Sequence, residues 1–173
     1  MQITEIEYTP NPNAVKFMLA EQIFPTVGGR TQSYESLEEA EEVPLARDIL
    51  EIEHVETVFF AANYITVNQD GDAEWRELMR EVAEPIRAAE VDDARAGEAA
   101  AEDEVESGGE SDEEIPGADD PRMEEIEEIL DEEIRPYLQG DGGDLRIRGL
   151  VDDELRIDYQ GACGSCPASI TGT

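Results

Sequence analysis

Apolar and polar residues alternate from Ile3 to Tyr8, the period of a half-buried strand, and Ala14 to Ala20 is a second strand candidate, with Val15, Phe17 and Leu19 on one face. Between them, Thr9-Pro10-Asn11-Pro12-Asn13 reads as a turn or tight loop. Pro44 opens a short helix over 45–51 that turns Leu45, Ile49 and Ile52 inward. Val55–Ala61 and Ile65–Val67 flank Ala62-Asn63-Tyr64 as a hairpin. From Ala73 to Ala89 the period changes. Trp75, Leu78, Met79, Val82 and Ile86 recur at helical spacing, and Pro85 is expected to kink or shorten that helix.

A second unit starts at Asp120, a good N-cap, with Pro121 at the first helical position. Met123, Ile126, Leu130, Ile134 and Leu138 then form one apolar stripe that ends at Gly140-Asp141-Gly142-Gly143. Leu145–Leu150 and Leu155–Tyr159 alternate across Val151-Asp152-Asp153, which predicts two antiparallel strands. The second strand runs into Gly161-Ala162-Cys163-Gly164-Ser165-Cys166-Pro167. Between the two units, residues 88–120 hold fourteen acids, no aromatic residue and only Val91, Val105 and Ile115 as bulky apolar groups. Such a stretch buries too little surface to offset chain entropy and reads as a charge-extended, disordered linker. The expected organisation is two small α+β domains, 1–89 and 120–173, joined by an acidic disordered linker over 90–119. Seven residues follow Cys166.

Charge narrows the function. The chain carries 45 acids and 12 bases, a formal net charge of −33, and Lys16 is its only lysine. No basic patch offers itself to nucleic acid, and an anionic membrane surface would repel the chain. The acid excess extends over all three segments, which suits a protein soluble in concentrated salt, where self-repulsion is screened. With neither a secretory leader nor an apolar run near the ~20 residues that span a bilayer, the expectation is a cytoplasmic protein adapted to high salt.

The candidate chemistry lies in the only two cysteines, Cys163 and Cys166. Thiols three positions apart can turn toward one centre, and thiolate suits iron–sulfur clusters and zinc. Gly161 and Gly164 let the backbone bend closely, and a helix opened by Pro167 would favour thiolate. Clusters are usually held by four thiolates, so ligand counting requires two protomers with the cluster on their axis. The spacing alone also allows a dithiol–disulfide oxidoreductase, a structural zinc dimer or an inert pair. No phosphate-binding loop, no Ser/His/Asp set and no general acid–base pair argues for an enzyme.

Two stretches resemble the Nfu family, the NifU-like scaffold proteins. The C-terminal one runs Arg135-Pro136-Tyr137-Leu138-Gln139-Gly140-Asp141-Gly142-Gly143-Asp144 and continues from Gln160 through the CxxC to Ser169. The N-terminal one is Thr9 to Phe17, joined by Pro44-Leu45-Ala46, Val55 to Phe60 and Ile65-Thr66-Val67. The resemblance implies a non-enzymatic carrier that holds a [4Fe–4S] cluster between two protomers, with [2Fe–2S] as the alternative. It maps the ligands onto Cys163 and Cys166. It also implies a homodimer through the C-terminal domain, cluster-assembly machinery as donor and apo iron–sulfur proteins as recipients. The family's closing helix after the CxxC is expected to be missing here.

Other polar residues have simpler readings. His54, the only histidine, is expected in an exposed loop. Asp141, Asp144, Asn11 and Asn13 fit turn and cap chemistry. Met79 and Met123 sit on apolar stripes, and Glu124, Glu125, Glu127 and Glu128 form a solvated face.

Overall fold

The computed structural model describes residues 1–24, 31–95, 116–117 and 120–166. The bulk of the expected linker, residues 96–115, and the segment after Cys166 lie outside them.

The N-terminal unit is a five-stranded antiparallel sheet built from β1 (Ile3–Tyr8), β2 (Ala14–Leu19), β3 (Thr31–Tyr34), β4 (Val55–Ala61) and β5 (Tyr64–Gln69), in the order β1-β2-β5-β4-β3. Helices α1 (Pro44–Leu50) and α2 (Trp75–Ala88) cover one face. Val15, Phe17 and Leu19 of β2 meet Val58 and Phe60 of β4 and Ile65 and Val67 of β5 there, packed with Leu45, Ile49, Leu78, Val82 and Ile86 from the helices. The periods of β2 and of both helices thus bury on this face the residues that their spacing predicts, whereas β1, an edge strand, leaves Ile6 and Tyr8 exposed, a correction to the half-buried strand expected there. α2 continues to Ala88, past Pro85, because the proline falls in the last turn, where it removes one hydrogen bond near an end that frays anyway. β3 escaped the sequence reading. Thr31-Gln32-Ser33-Tyr34 has no apolar alternation, and it is a strand because its backbone pairs with the edge of β4.

Helix α3 (Val91–Arg95) lies within the stretch read as linker. Its Ala94 is fully buried in the N-terminal core, and the Arg95 guanidinium donates to the carbonyls of Ile23 and Gln22. A single small apolar residue and a well-placed cation tie this segment down, against its acid-rich composition. The ordered N-terminal unit therefore reaches Arg95.

The C-terminal unit packs a helix on a two-stranded hairpin. α4 (Pro121–Ile129) starts with Asp120 as N-cap, its carboxylate accepting from the Arg122 N–H. A π-helical turn over Leu130–Ile134 follows, then α5 (Arg135–Gly140). The Arg135 N–H donates to the Leu130 carbonyl, five residues back. Pro136 explains this widened turn. It lacks an N–H, and its ring would press on the carbonyl four residues earlier in a regular helix. The extra residue per turn rotates the expected stripe. Met123 is buried and Ile126, Leu130 and Leu138 pack against it, but Ile134 is 40% exposed, a correction to the uninterrupted stripe. The hairpin pairs β6 (Gly143–Val151) with β7 (Glu154–Gly161) across Asp152-Asp153, and Leu145, Ile147 and Leu150 face the helix.

The two units touch. β5 is buried at every position, so both of its faces are covered. In an antiparallel sheet of this kind the second face is ordinarily wet. Here the end of β7 and the loops beside it cover that face.

Candidate functional site

β7 ends at Gly161, which takes a φ of +61° and turns the chain into Ala162-Cys163-Gly164-Ser165. Three backbone bonds shape this loop. The Ala162 N–H donates to the Gly142 carbonyl at 3.2 Å, Gly164 N–H to Gly161 at 3.1 Å, and Cys166 N–H to Cys163 at 3.4 Å. The double glycine supplies the space below it. A Cβ on Gly143 would lie 2.6 Å from the Cys163 Sγ and from the Gln160 carbonyl. Gly142 has a φ of +84°. The spacing between the double glycine and the CxxC thus has a steric cause: only hydrogen side chains let Cys163 sit where it does.

Asp144 fixes the strand beneath. It is fully buried, and its carboxylate accepts from its neighbour Leu145 N–H (2.7 Å), Arg135 Nη1 (3.1 Å), Gln139 Nε2 (3.2 Å) and the Thr31 hydroxyl. Burial raises its pKa above the ordinary carboxylate value, against the pull of Arg135. Turn chemistry does not account for it, since it ties α5, β6 and the N-terminal sheet together.

Cys163 and Cys166 are both free thiols and both buried, at 6% and 7% exposure. Burial, followed by the Asp141 carboxylate, Cys166 and Asp144, pushes the Cys163 thiol up to about 11. The thiolate-favouring helix expected from Pro167 lies outside the described residues. The surroundings that are described act in the opposite direction and keep Cys163 protonated at neutral pH. Two soft donors three positions apart fit half of a cluster's ligand set. Among the described residues, no group of three or more His, Cys, Asp or Glu side chains is arranged to hold a metal ion. Among the described residues, one chain therefore offers two sulfurs with no third ligand arranged beside them.

The other residues weighed from sequence divide clearly. His54 lies before β4, partly exposed, with Nδ1 2.9 Å from Asp70. It belongs to no site. Asn11, read as a turn residue, does make a turn, its Oδ1 accepting from Asn13 N–H at 3.0 Å. Its Nδ2 also donates to the Ala162 carbonyl at 2.9 Å and to Ser165 Oγ at 3.0 Å. Asn68 does the same from β5, to the Gly161 carbonyl at 2.9 Å and Ser165 Oγ at 3.2 Å. Lys16 Nζ donates to the Gly140 carbonyl at 3.2 Å and lies 4.8 Å from the centre of the Tyr64 ring. Sequence reasoning missed Asn68 and Lys16. The signal for Asn68 was the run Tyr64, Thr66, Asn68 at alternate positions of one strand, a whole face of hydrogen-bonding groups.

Residues 3–91 match the family described as scaffold protein Nfu/NifU N terminal, and residues 126–173 match the NifU-like domain. The iron-sulfur cluster scaffold homolog NFU1, mitochondrial, of Homo sapiens is 36% identical over 94% of this chain and 60% of its own length. Its counterpart in Drosophila ananassae is 35% identical over 94% of this chain and 54% of its own length. The chain thus spans little more than half the length of these relatives. Among solved structures, protein SAV1430 of Staphylococcus aureus is 27% identical over 50% of this chain and 99% of its own, with a TM-score of 0.44. A NifU-like protein from Saccharomyces cerevisiae is 22% identical over 51% of this chain and 79% of its own, with a TM-score of 0.43. With both halves matched in order, and the CxxC and its double glycine folded onto one another, the chain belongs to the Nfu/NifU-like family of iron–sulfur cluster scaffold proteins.

Proposed function

We propose that this protein is a carrier that holds a [4Fe–4S] cluster between two protomers through Cys163 and Cys166 of each, and delivers it to apo iron–sulfur proteins in a salt-rich cytoplasm. The observation that carries the reading is the donor count. The chain's only two cysteines meet on one loop, with no disulfide between them. A four-thiolate cluster then needs a second copy. Loading requires each thiol to lose its proton, so uptake is favoured by whatever relieves the burial of Cys163. Release exchanges these thiolates for those of the recipient, with no net oxidation of the carrier. The cluster is cargo, and its donor is the assembly machinery.

The dithiol oxidoreductase reading is weaker. A redox nucleophile needs a lowered thiol pKa and access to its substrate, and Cys163 has the reverse of both. Native mass measurement under anaerobic conditions separates the two. Supplying iron and sulfide should convert the chain to a dimer, and chelation should return it to monomer. A dimer that forms equally well in Cys163→Ser would refute the bridging site.

A further inference from the structure

The polar face of the N-terminal sheet has a composition that its fold alone does not require. Backbone register places Lys16 of β2, Thr66 of β5 and Phe59 of β4 in one row across the sheet, with Met18, Tyr64 and Ala61 in the next and Ala14 and Asn68 in a third. Lys16 is 7% exposed, Thr66 1% and Asn68 2%. The only lysine of a chain with 45 acids is thus buried at this face. It makes one bond to the C-terminal unit and an ion pair to Glu7 at 3.1 Å. Asn11 and Asn68 together spend four donor contacts on the CxxC loop, at the carbonyls of Gly161 and Ala162 and at the hydroxyl of Ser165. The fit is close in shape as well. A Cβ on Gly161 would lie 2.9 Å from the Phe59 ring, and one on Gly142 would lie 3.0 Å from Thr66 Oγ1.

The same seam is incompletely satisfied. Tyr64 Oη, Thr66 Oγ1 and Asn68 Oδ1 are buried and find no hydrogen-bond partner among the described residues. Unpaired buried polar groups weaken an interface. A face that is polar, matched to the loop in shape and loosely held is suited to a contact that forms and breaks.

We propose that the polar face of the N-terminal sheet is a docking surface for the chain's own CxxC loop, and that docking competes with the meeting of two such loops. The docked state covers the thiols. It has to open before Cys163 and Cys166 of one chain can face those of a second, a consequence that rests on the bridging reading above. The N-terminal domain is then a cap that shields the loop when no cluster is present.

The test uses the full reduced chain, free of cluster and oxygen, in high salt, with iodoacetamide as the probe. Alkylation of Cys163 and Cys166, followed by mass, should be about tenfold faster in Asn11→Asp/Asn68→Asp than in the native chain. Aspartate at position 11 keeps the acceptor that holds Asn13, and both carboxylates then face carbonyls to which the amides donated. Equal rates in the two folded chains would overturn the proposal. Small-angle X-ray scattering of the native chain needs no variant: contact between the two units is expected, and a profile of two bodies held apart would also overturn it. Neither measurement involves iron. A chain that behaves as expected in both yet takes up no iron and sulfide refutes the bridging reading and leaves the docking intact. A chain that fails both yet assembles a cluster does the reverse.

Discussion

Gly143 shows how one residue can set the chemistry of a loop. A methyl group there would collide with the Cys163 sulfur, with its Cβ and with the Gln160 carbonyl, all within 3 Å. The backbone carbonyl cannot yield, so Cys163 has to move. Gly143→Ala should cost about 1–3 kcal/mol in the C-terminal unit, read by thermal or denaturant unfolding, and should speed loss of any bound iron. Asp144 makes a complementary case. Arg135→Ala would leave its carboxylate buried without its cation, a loss of about 3 kcal/mol. The sign with pH follows from burial. The folded-state pKa of Asp144 lies above the ordinary value, so its ionisation opposes folding as pH rises above about 3.8. The Arg135→Ala deficit should therefore be larger at pH 7 than at pH 4, and Asp144→Asn in the same chain should remove that difference. His54 offers a simpler titration. Its pKa is raised, chiefly by the hydrogen bond to Asp70. This contact supports folding below the unfolded value near 6.5 and fades as pH rises through the folded one. As the only histidine, it gives a single pair of ring C–H signals in proton NMR, and Asp70→Asn should return their midpoint toward about 6.5. Of these residues, sequence alone marked Cys163 and Cys166 through soft-ligand chemistry and spacing. It left Asp144 and Asn11 as turn residues, because it showed neither the burial of Asp144 nor the contact of Asn11 with a loop 151 to 154 positions away.

At the scale of elements, periodicity was a good guide wherever one face is buried and the other is wet. β2, α1, α2 and the face of β4 that holds Val58 and Phe60 follow it, since those apolar residues share one core. It failed in four places, each for a different reason. β1 lies at the sheet edge, where Ile6 and Tyr8 stay exposed. β3 has only Tyr34 buried and exists through edge pairing. α3 is anchored by Ala94 and Arg95 against a composition that argues for disorder. The helix through Ile134 is widened by the proline that follows, which no apolar count registers. The α3 account predicts that Ala94→Glu, which forces a carboxylate into the N-terminal core, lowers stability by about 2 kcal/mol or more. An equal stability in denaturant would mean that α3 does not pack there.

At the scale of the molecule, charge and docking set the terms. A net charge of −33 repels itself at low ionic strength, so the folded chain should melt at a higher temperature in molar potassium chloride than in dilute buffer. Both sheets contribute to one seam, and the hydrogen bonds across it connect residues more than ninety positions apart in sequence. Such a contact is invisible to local pattern, although the unusual polar face of β5 carried its trace. The resemblance to a two-domain scaffold family supplied the order of the units but not their closed arrangement. That arrangement relates the N-terminal sheet directly to the loop bearing the cysteines.

Iron and acid-labile sulfide bound per chain, after anaerobic reconstitution in high salt, test the central claim most directly. Bridging predicts about four of each per dimer, with the visible absorption of a cluster, and loss of both when Cys163→Ser or Cys166→Ser is introduced. A folded native chain that binds no iron, or a variant that binds as much as the native chain, would contradict it.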